Sequence, residues 1–451
     1  MGLQQAIHDY HTLLSTEIAE ESQAHLDEQL RRRGLFFGER PLCTVLRPRF
    51  LTPSQYAFLQ RSVARLLPAF DRIYDRAIAD DEFRQQFRML DWEEQLLPHH
   101  PGFRDPSPVS RLDAFFTEGR GGLRFTEYNA ETPAAAAYND VLAEVTYGLP
   151  IMRLFLRRWE VRPQPARHLV MHALLESYRS WSGRRSKPRI AILDWREVPT
   201  YSEFVITADY LRNQGLECVI ADPREVEYRD GKLIAEGMQV DLIYKRVLIT
   251  ELIERGGLDH PVVRAVRDGA VCMVNPFRCK ILHKKASLAA LSDEANAHLF
   301  SAKELEAIQR YIPWTRMIEE RRTLFDGQEI DLLPYVARNK DQFVLKPNDE
   351  YGGKGVMLGW ETEATEWEAA LQNALTDPSI IQTRVPLPKF PYASWVDGRV
   401  EIIDRMIDTN PYIWYGGYVD GCLTRLSTAA LLNVTAGGGS TVATFIVDQR
   451  L

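Results

Sequence analysis

Arg111-Leu112-Asp113-Ala114-Phe115-Phe116 and, beyond a glycine-rich turn, Leu123-Arg124-Phe125-Thr126-Glu127-Tyr128-Asn129 are the segments on which the fold of this chain turns. Polar and apolar residues alternate in both, the period expected of paired strands with one face on a core, and the glycines between them supply a hairpin turn. Alternation puts Arg111 and Asp113 on one face of the first strand and Glu127 and Asn129 on one face of the second. With the turn centred near Arg120, Asp113 lies opposite Glu127 and Arg111 opposite Asn129. Facing carboxylates repel unless positive charge stands between them. A hard divalent cation meets that need, since Mg²⁺ takes one or two carboxylate oxygens and completes its octahedron with water and phosphate. The Asn129 amide would add a neutral oxygen. The competing occupant is arginine: Arg111 or Arg124 could neutralise the acids and leave an ordinary solvated hairpin. The continuation Ala130-Glu131-Thr132-Pro133 fixes where the strand ends and tilts the balance toward the metal.

Moving toward the C-terminus, Gln342-Phe343-Val344-Leu345-Lys346-Pro347 reads as a short strand that delivers Lys346 at its end. It runs into Asn348-Asp349-Glu350-Tyr351-Gly352-Gly353-Lys354-Gly355 and a returning strand at Val356. Glycines at 352, 353 and 355 let backbone N–H groups turn toward an anion at close range, as a triphosphate requires. A plain glycine hairpin turn is the bland alternative, and no GxxxxGK[ST] loop is present. Lys280 precedes a helical stretch from Ile281 to about Leu291 that carries Lys284 and Lys285, and a nucleotide site needs a second cation there. Ile380-Ile381-Gln382-Thr383-Arg384-Val385-Pro386 is an apolar strand suited to holding an adenine with its main chain. Gly421-Cys422-Leu423-Thr424-Arg425 leads to Gly437-Gly438-Gly439-Ser440, where Arg425 could clamp a phosphate or carboxylate and the glycines could form a second anion nest or merely a hairpin end.

Composition sets the frame for these segments. The 451 residues carry 45% hydrophobic and 26% charged side chains and a net charge of −7, enough for a large core in two or three units. No basic block exists to bind a nucleic acid. Cys43, Cys218, Cys272, Cys279 and Cys422 show no CxxC pair, which favours a reducing, cytoplasmic setting over a disulfide frame. The N-terminus lacks a signal-peptide pattern, and no run is long enough to span a bilayer, so no membrane partner is expected. Residues 1–110 read as a mostly helical layer without visible chemistry. Residues 111–185 hold the hairpin and connecting helices. A βαβ-like unit occupies 186–270, with strands at Arg189–Leu193 and Glu217–Ile220, a helix between them, a tight Asp230-Gly231 hairpin and a further strand at Asp241–Arg246. Residues 271–451 are expected to form the nucleotide-binding region with the glycine flap.

Together these segments resemble the circularly permuted ATP-grasp enzymes, most closely the glutathionylspermidine synthase-like branch, over about Arg111 to Asp448. In ordinary ATP-grasp enzymes the phosphate-binding lysines precede the acidic metal ligands, and here the order is reversed. The resemblance implies an α+β/α/β fold: a permuted ATP-grasp core with an inserted βαβ-like substrate domain and the helical layer. It implies that Asp113, Glu127 and Asn129 hold Mg²⁺, two ions in all. Lys280 and Lys346 are the ATP lysines, Gly352, Gly353 and Gly355 the flap, and Gln382 the adenine contact. Arg111, and with it Arg425, faces the reacting group. No amidase domain with an early nucleophilic cysteine can be aligned, so glutathione and spermidine do not follow as substrates.

The activity expected is an ATP-dependent ligation. A small-molecule or short-peptide carboxylate is activated as an acylphosphate and captured by an amine, with release of ADP and phosphate. Two rivals share much of the machinery: a phosphotransferase that stops at a phosphorylated hydroxyl, and a non-catalytic nucleotide-binding partner that would not need the paired carboxylates. An NAD-type dehydrogenase fails for want of a glycine fingerprint in the βαβ unit.

Overall fold

The computed structural model describes residues 2–117, 122–428 and 439–450. The first hundred residues are mainly helical, with α1 (Gly2–Thr12), α2 (Thr16–Arg32) and the long α3 (Pro53–Ala79). A capping box starts α3: Thr52 accepts from the Gln55 backbone, the Gln55 side chain accepts in return, and Pro53 occupies the first helical turn where its missing N–H costs nothing. Its buried stripe, Leu59, Val63, Leu66, Phe70 and Ile73, recurs at helical spacing and packs against the back of the hairpin. There the Phe70 ring meets Tyr128 at 4.7 Å. This layer does not stand apart, because Arg49–Leu51 pairs in parallel with Thr444–Gln449 near the C-terminus.

The hairpin consists of β1 (Val109–Phe116) and β2 (Leu123–Asn129). Its register sets Asp113 opposite Glu127 and Arg111 opposite Asn129, as the alternation requires; the turn at 118–121 lies outside the described residues. Leu112, Ala114, Phe116, Phe125 and Tyr128 enter the core together on the opposite face. One feature departs from a simple ladder: the register slips by a residue between Asp113 and Ala114, leaving Thr126 as the extra residue of a bulge. The Asn410 side chain accepts the Ala114 N–H at 3.0 Å, so a distant segment supports the slip.

A parallel sheet follows, built from β3 (Ile190–Leu193), α4 (Tyr201–Asn213), β4 (Cys218–Ala221), β5 (Leu242–Lys245), α5 (Ile249–Gly256) and β6 (Cys272–Val274), in the strand order β6-β5-β3-β4. The expected βαβ geometry is therefore present, and a small antiparallel sheet with the Asp230-Gly231 turn lies beside it. The helical stretch expected from Ile281 to Leu291 is instead two short helices, α6 (Lys280–His283) and α7 (Ala286–Ser292). Lys284 breaks the run with an extended ψ of 133°, and the Asn348 carbonyl takes the Lys285 N–H at 2.9 Å.

Two further sheets border the site. The strands β7 (Thr315–Met317), β8 (Phe343–Pro347), β9 (Met357–Leu358) and β10 (Ser379–Thr383) form an antiparallel sheet in the order β7-β10-β8-β9. The strands β11 (Lys389–Val396), β12 (Arg399–Ile407), β13 (Asn410–Trp414) and β14 (Tyr418–Ser427) join the hairpin in a seven-stranded sheet of order β11-β12-β14-β13-β1-β2, with Ser440–Val442 alongside β14. The polar face of the hairpin and the β8–β9 edge of the smaller sheet border one cavity.

Candidate functional site

The cavity has a volume of about 280 Å³ and gathers residues from segments more than 300 positions apart. Arg111, Asp113, Glu127, Asn129, Lys346, Gly352, Gly353, Gln382 and Arg425 all line it. Of the residues proposed from sequence, Lys280 and Gly355 do not. Gly437 and Gly438 lie outside the described residues, and Ser440 bonds to the Thr44 N–H at 3.0 Å, away from the cavity.

The acids are held by cations. Arg111 donates from Nε to Asp113 Oδ1 at 2.7 Å and from Nη2 to Oδ2 at 3.2 Å, and Arg425 Nη2 donates to Oδ2 at 2.7 Å. Asp113 is only 5% exposed. Burial alone would raise its carboxyl, but the two guanidinium groups outweigh burial and hold it below the usual carboxylate range. Arg425 is fixed in turn by buried Asp408, which accepts its Nε at 2.7 Å and its backbone N–H at 2.6 Å. Glu127, 27% exposed to the cavity, pairs with Lys285 at 3.2 Å; burial is the largest influence and raises its carboxyl, as does Asp113, but Lys285, Lys346 and His283 together outweigh them and keep it low. The arginine expected as a competing occupant is thus present on Asp113, while Glu127 takes a lysine and Arg124 turns to the Leu123 carbonyl.

Lys346 sits where β8 ends. Its Nζ donates to Gln382 Oε1 at 2.7 Å and to the Thr126 carbonyl at 3.1 Å, the carbonyl of the bulge residue. Desolvation lowers its amine to about 8, the nearby Glu127 opposing and Lys285 adding to that shift. Gln382 is anchored from its amide to Thr315 Oγ1 at 3.0 Å, and its strand is paired on both sides, so its main chain from Ser379 to Thr383 is committed to the sheet. The chain then runs on along the cavity. There Thr383, Val385 and Leu387, together with Val344, Val356, Leu358 and Trp360, form the apolar end of the cavity.

Lys280 occupies a different place. It is 2% exposed and donates to both carboxylate oxygens of Asp349 at 2.6 Å, to Thr250 Oγ1 at 3.1 Å and to Glu131 Oε2 at 3.4 Å. Lys284 pairs with Glu93 at 2.9 Å and Lys245 with Glu131 at 3.3 Å, giving a buried network of three lysines and three carboxylates under the flap root. Its members hold one another: Glu131 stays ionised despite burial because Lys280 and Lys245 face it. The lysine that enters the cavity is Lys285, turned there by the break between α6 and α7. Sequence alone singled out neither it nor Asp408, Glu350 and Glu93.

At the glycine turn, Gly352, Gly353 and Gly355 have φ of 65°, 77° and 71°, the left-handed region that favours glycine. A Cβ on Gly355 would stand 2.7 Å from the Pro347 ring. Among the described residues the charged side chains around the cavity are five cations, Arg111, Lys285, Lys346, Lys354 and Arg425, against four carboxylates, Asp113, Glu127, Glu350 and Asp408.

No protein-family model matches the chain. It is 27% identical over 214 residues to the protein named "Putative glutamate--cysteine ligase 2-3" of Frankia alni, a match covering 45% of this chain and 23% of that relative. The chain thus spans about a quarter of the length of that relative. An uncharacterised protein of Mycobacterium tuberculosis is 24% identical over 428 residues, 89% of this chain and 73% of its own length. Among solved structures, the chain shares its fold with an apo glutathione synthetase-like effector from Globodera pallida, at a TM-score of 0.61 and 12% identity over 96% of this chain and 98% of that one. Among the described residues no helix is long and apolar enough to cross a membrane, and the five cysteines are buried and free.

Proposed function

We propose that this chain is an ATP-dependent carboxylate–amine ligase of the circularly permuted ATP-grasp type, glutathionylspermidine synthase-like in its motifs, and that the cavity is its active site. One observation carries the proposal. The acid–amide patch Asp113, Glu127 and Asn129 converges with Lys285, Lys346 and the Gly352–Gly353 turn on a single cavity with an apolar end. Metal-bearing hairpin first and lysines second is the permuted order. The likeness in fold to a glutathione synthetase-like protein and the ligase names among the relatives support the same class.

The donor set suits Mg²⁺. Among the described residues no three His, Cys, Asp or Glu side chains converge as a cage. A cation bound at this patch would take Asp113, Glu127 and the Asn129 amide oxygen and draw its remaining ligands from phosphate and water, as Mg²⁺ commonly does. The Asn129 amide nitrogen is buried without a hydrogen-bond partner; as a donor it awaits an acceptor such as a phosphate oxygen, and a cation would take the amide oxygen instead. Bound Mg²⁺ would supply positive charge between the carboxylates and the phosphates.

The protein's own groups divide the remaining work. Lys285 and Lys346 neutralise phosphate oxygens, the glycine turn brings backbone close to them, and the apolar end takes the base. A substrate carboxylate oxygen attacks the γ-phosphorus and ADP departs. The amine nitrogen then bonds to the acyl carbon, phosphate leaves, and the nitrogen loses a proton. Arg425, held by Asp408, and Arg111 face the end where negative charge grows on the acyl oxygen. Amino acids come first as acid and amine, because two relatives carry glutamate and cysteine in their names. A reducing, cytoplasmic setting suits the free cysteines.

The test is a screen of amino acids, short peptides and polyamines for amine-dependent ADP release, with mass spectrometry of the products. An amide product with equimolar ADP supports the ligase. Phosphate found on an alcohol would make the chain a phosphotransferase, and nucleotide binding without turnover of any acceptor would make it a binding partner.

A further inference from the structure

Tyr351 is the one aromatic of the glycine turn, and it has two faces. It lines the cavity, yet it is 50% exposed, so it stands at the boundary between cavity and solvent. Its hydroxyl donates to Glu251 Oε1 at 3.1 Å. The other Glu251 oxygen accepts from the indole N–H of Trp195 at 2.8 Å, and Trp195, at the carboxyl end of β3, is 2% exposed. Glu251 is therefore aimed from the parallel-sheet unit by a buried partner.

The residue before it makes a second link to the flap: Thr250 Oγ1 and Lys280 both bond to Asp349, at 3.4 Å and 2.6 Å. Helix α5, which carries Thr250 and Glu251, is itself tied to the hairpin. Glu131, two residues beyond Asn129, accepts the Ile249 N–H at 2.5 Å. Beneath the turn, Lys285 donates to the Glu350 carbonyl at 2.6 Å. Four successive contacts thus run from the acid-bearing strand through α5 to the flap and back to a cavity lysine.

We infer that Glu251 and Tyr351 are a latch that holds the glycine flap shut against the parallel-sheet unit, with Lys280 a positioning residue that pins the flap root through Asp349. This inference rests on the ATP-site reading and extends it: the latch shuts the cavity end lined by Thr132, Ala134 and Leu248, where the acyl group would lie. An open gate admits water. Its oxygen would bond to the acyl carbon, the carbon–oxygen bond to phosphate would break, and a proton would be released, consuming ATP without an amide.

Hydrogen exchange on the full chain tests this, comparing wild type, Tyr351→Phe, Glu251→Ala and the double variant. Peptides covering 349–356 should exchange about fivefold faster in each single variant, the usual worth of one hydrogen bond. The double variant should exchange no faster than Glu251→Ala, because Tyr351→Phe then removes a contact already lost. Unchanged or additive exchange overturns the latch. Mg²⁺ with a non-hydrolysable ATP analogue is added to the same samples. Protection of 343–347 alongside unchanged flap exchange in the variants defeats the latch and leaves the ATP site standing. Absence of that protection in the wild type defeats the ATP site instead, and with it the role given to the latch.

Discussion

Lys346 offers the sharpest quantitative handle on the site. Its amine sits at about 8 because the cavity wall desolvates it. Only the ammonium form neutralises a phosphate. In the ligand-free protein the competent fraction is about nine tenths at pH 7 and about one tenth at pH 9, and apparent affinity falls in proportion to that fraction. The Kd for a magnesium–nucleotide complex should therefore rise about tenfold from pH 7 to pH 9, and about tenfold per unit above that. A phosphate monoester's own second ionisation lies near 6 and is complete in this window. Stability follows the opposite sign. Because the folded value lies below the ordinary 10.5, the fold disfavours the ammonium, and Lys346 contributes a gain in stability as pH climbs from about 8 toward 10.5. Calorimetric titration between pH 7 and 9.5 measures the binding limb, and Lys346→Arg, whose guanidinium keeps its charge throughout, should flatten it. A wild type with pH-independent affinity, or an arginine variant with an unchanged slope, would refute the placement of Lys346 on the phosphates.

The two lysine environments make a paired prediction. Lys280→Met strips the cation from buried Asp349 and Glu131 and should cost about 3–5 kcal/mol in urea unfolding, whereas Lys285→Met should cost about 1–2 kcal/mol but weaken nucleotide binding more than about tenfold. A stable Lys280→Met protein that no longer binds nucleotide would return the phosphate role to Lys280. Metal removal gives another: with four carboxylates on the cavity wall, chelation by EDTA should weaken nucleotide binding at least about a hundredfold in the wild type. In Asp113→Asn the magnesium dependence should shrink, and equal affinity with and without metal in the wild type would count against the acid patch as a cation site.

How far the sequence reached depended on the range of the interactions involved. The facing of Asp113 and Glu127 was legible because strand alternation and hairpin closure are local, and the structure keeps that register. The bulge that follows was not, since it is held by Asn410, 296 positions away. It matters chemically, because the freed Thr126 carbonyl is the one Lys346 meets. Lys346 and the flap glycines were legible as a strand feeding a turn. Lys280 and Lys285 were not distinguishable, because a continuous helix was expected where Lys284 breaks the chain under a contact from Asn348. That break sends one lysine into a buried network with Glu93, Glu131 and Asp349 and the next into the cavity. The helical first hundred residues gave no sign of chemistry, yet Glu93 comes from them. Gln382 was legible as lying on an apolar strand, but its double pairing shows that the strand's main chain serves the sheet.

Activation of a carboxylate by the γ-phosphate in the cavity is the central step of the proposed reaction, and isotope transfer reads it directly. With the acid substrate labelled by ¹⁸O in its carboxylate, the phosphate released during amide formation should carry one labelled oxygen, and release should require the amine. Unlabelled phosphate, or label retained entirely in the acid while ADP accumulates, would contradict the ligase.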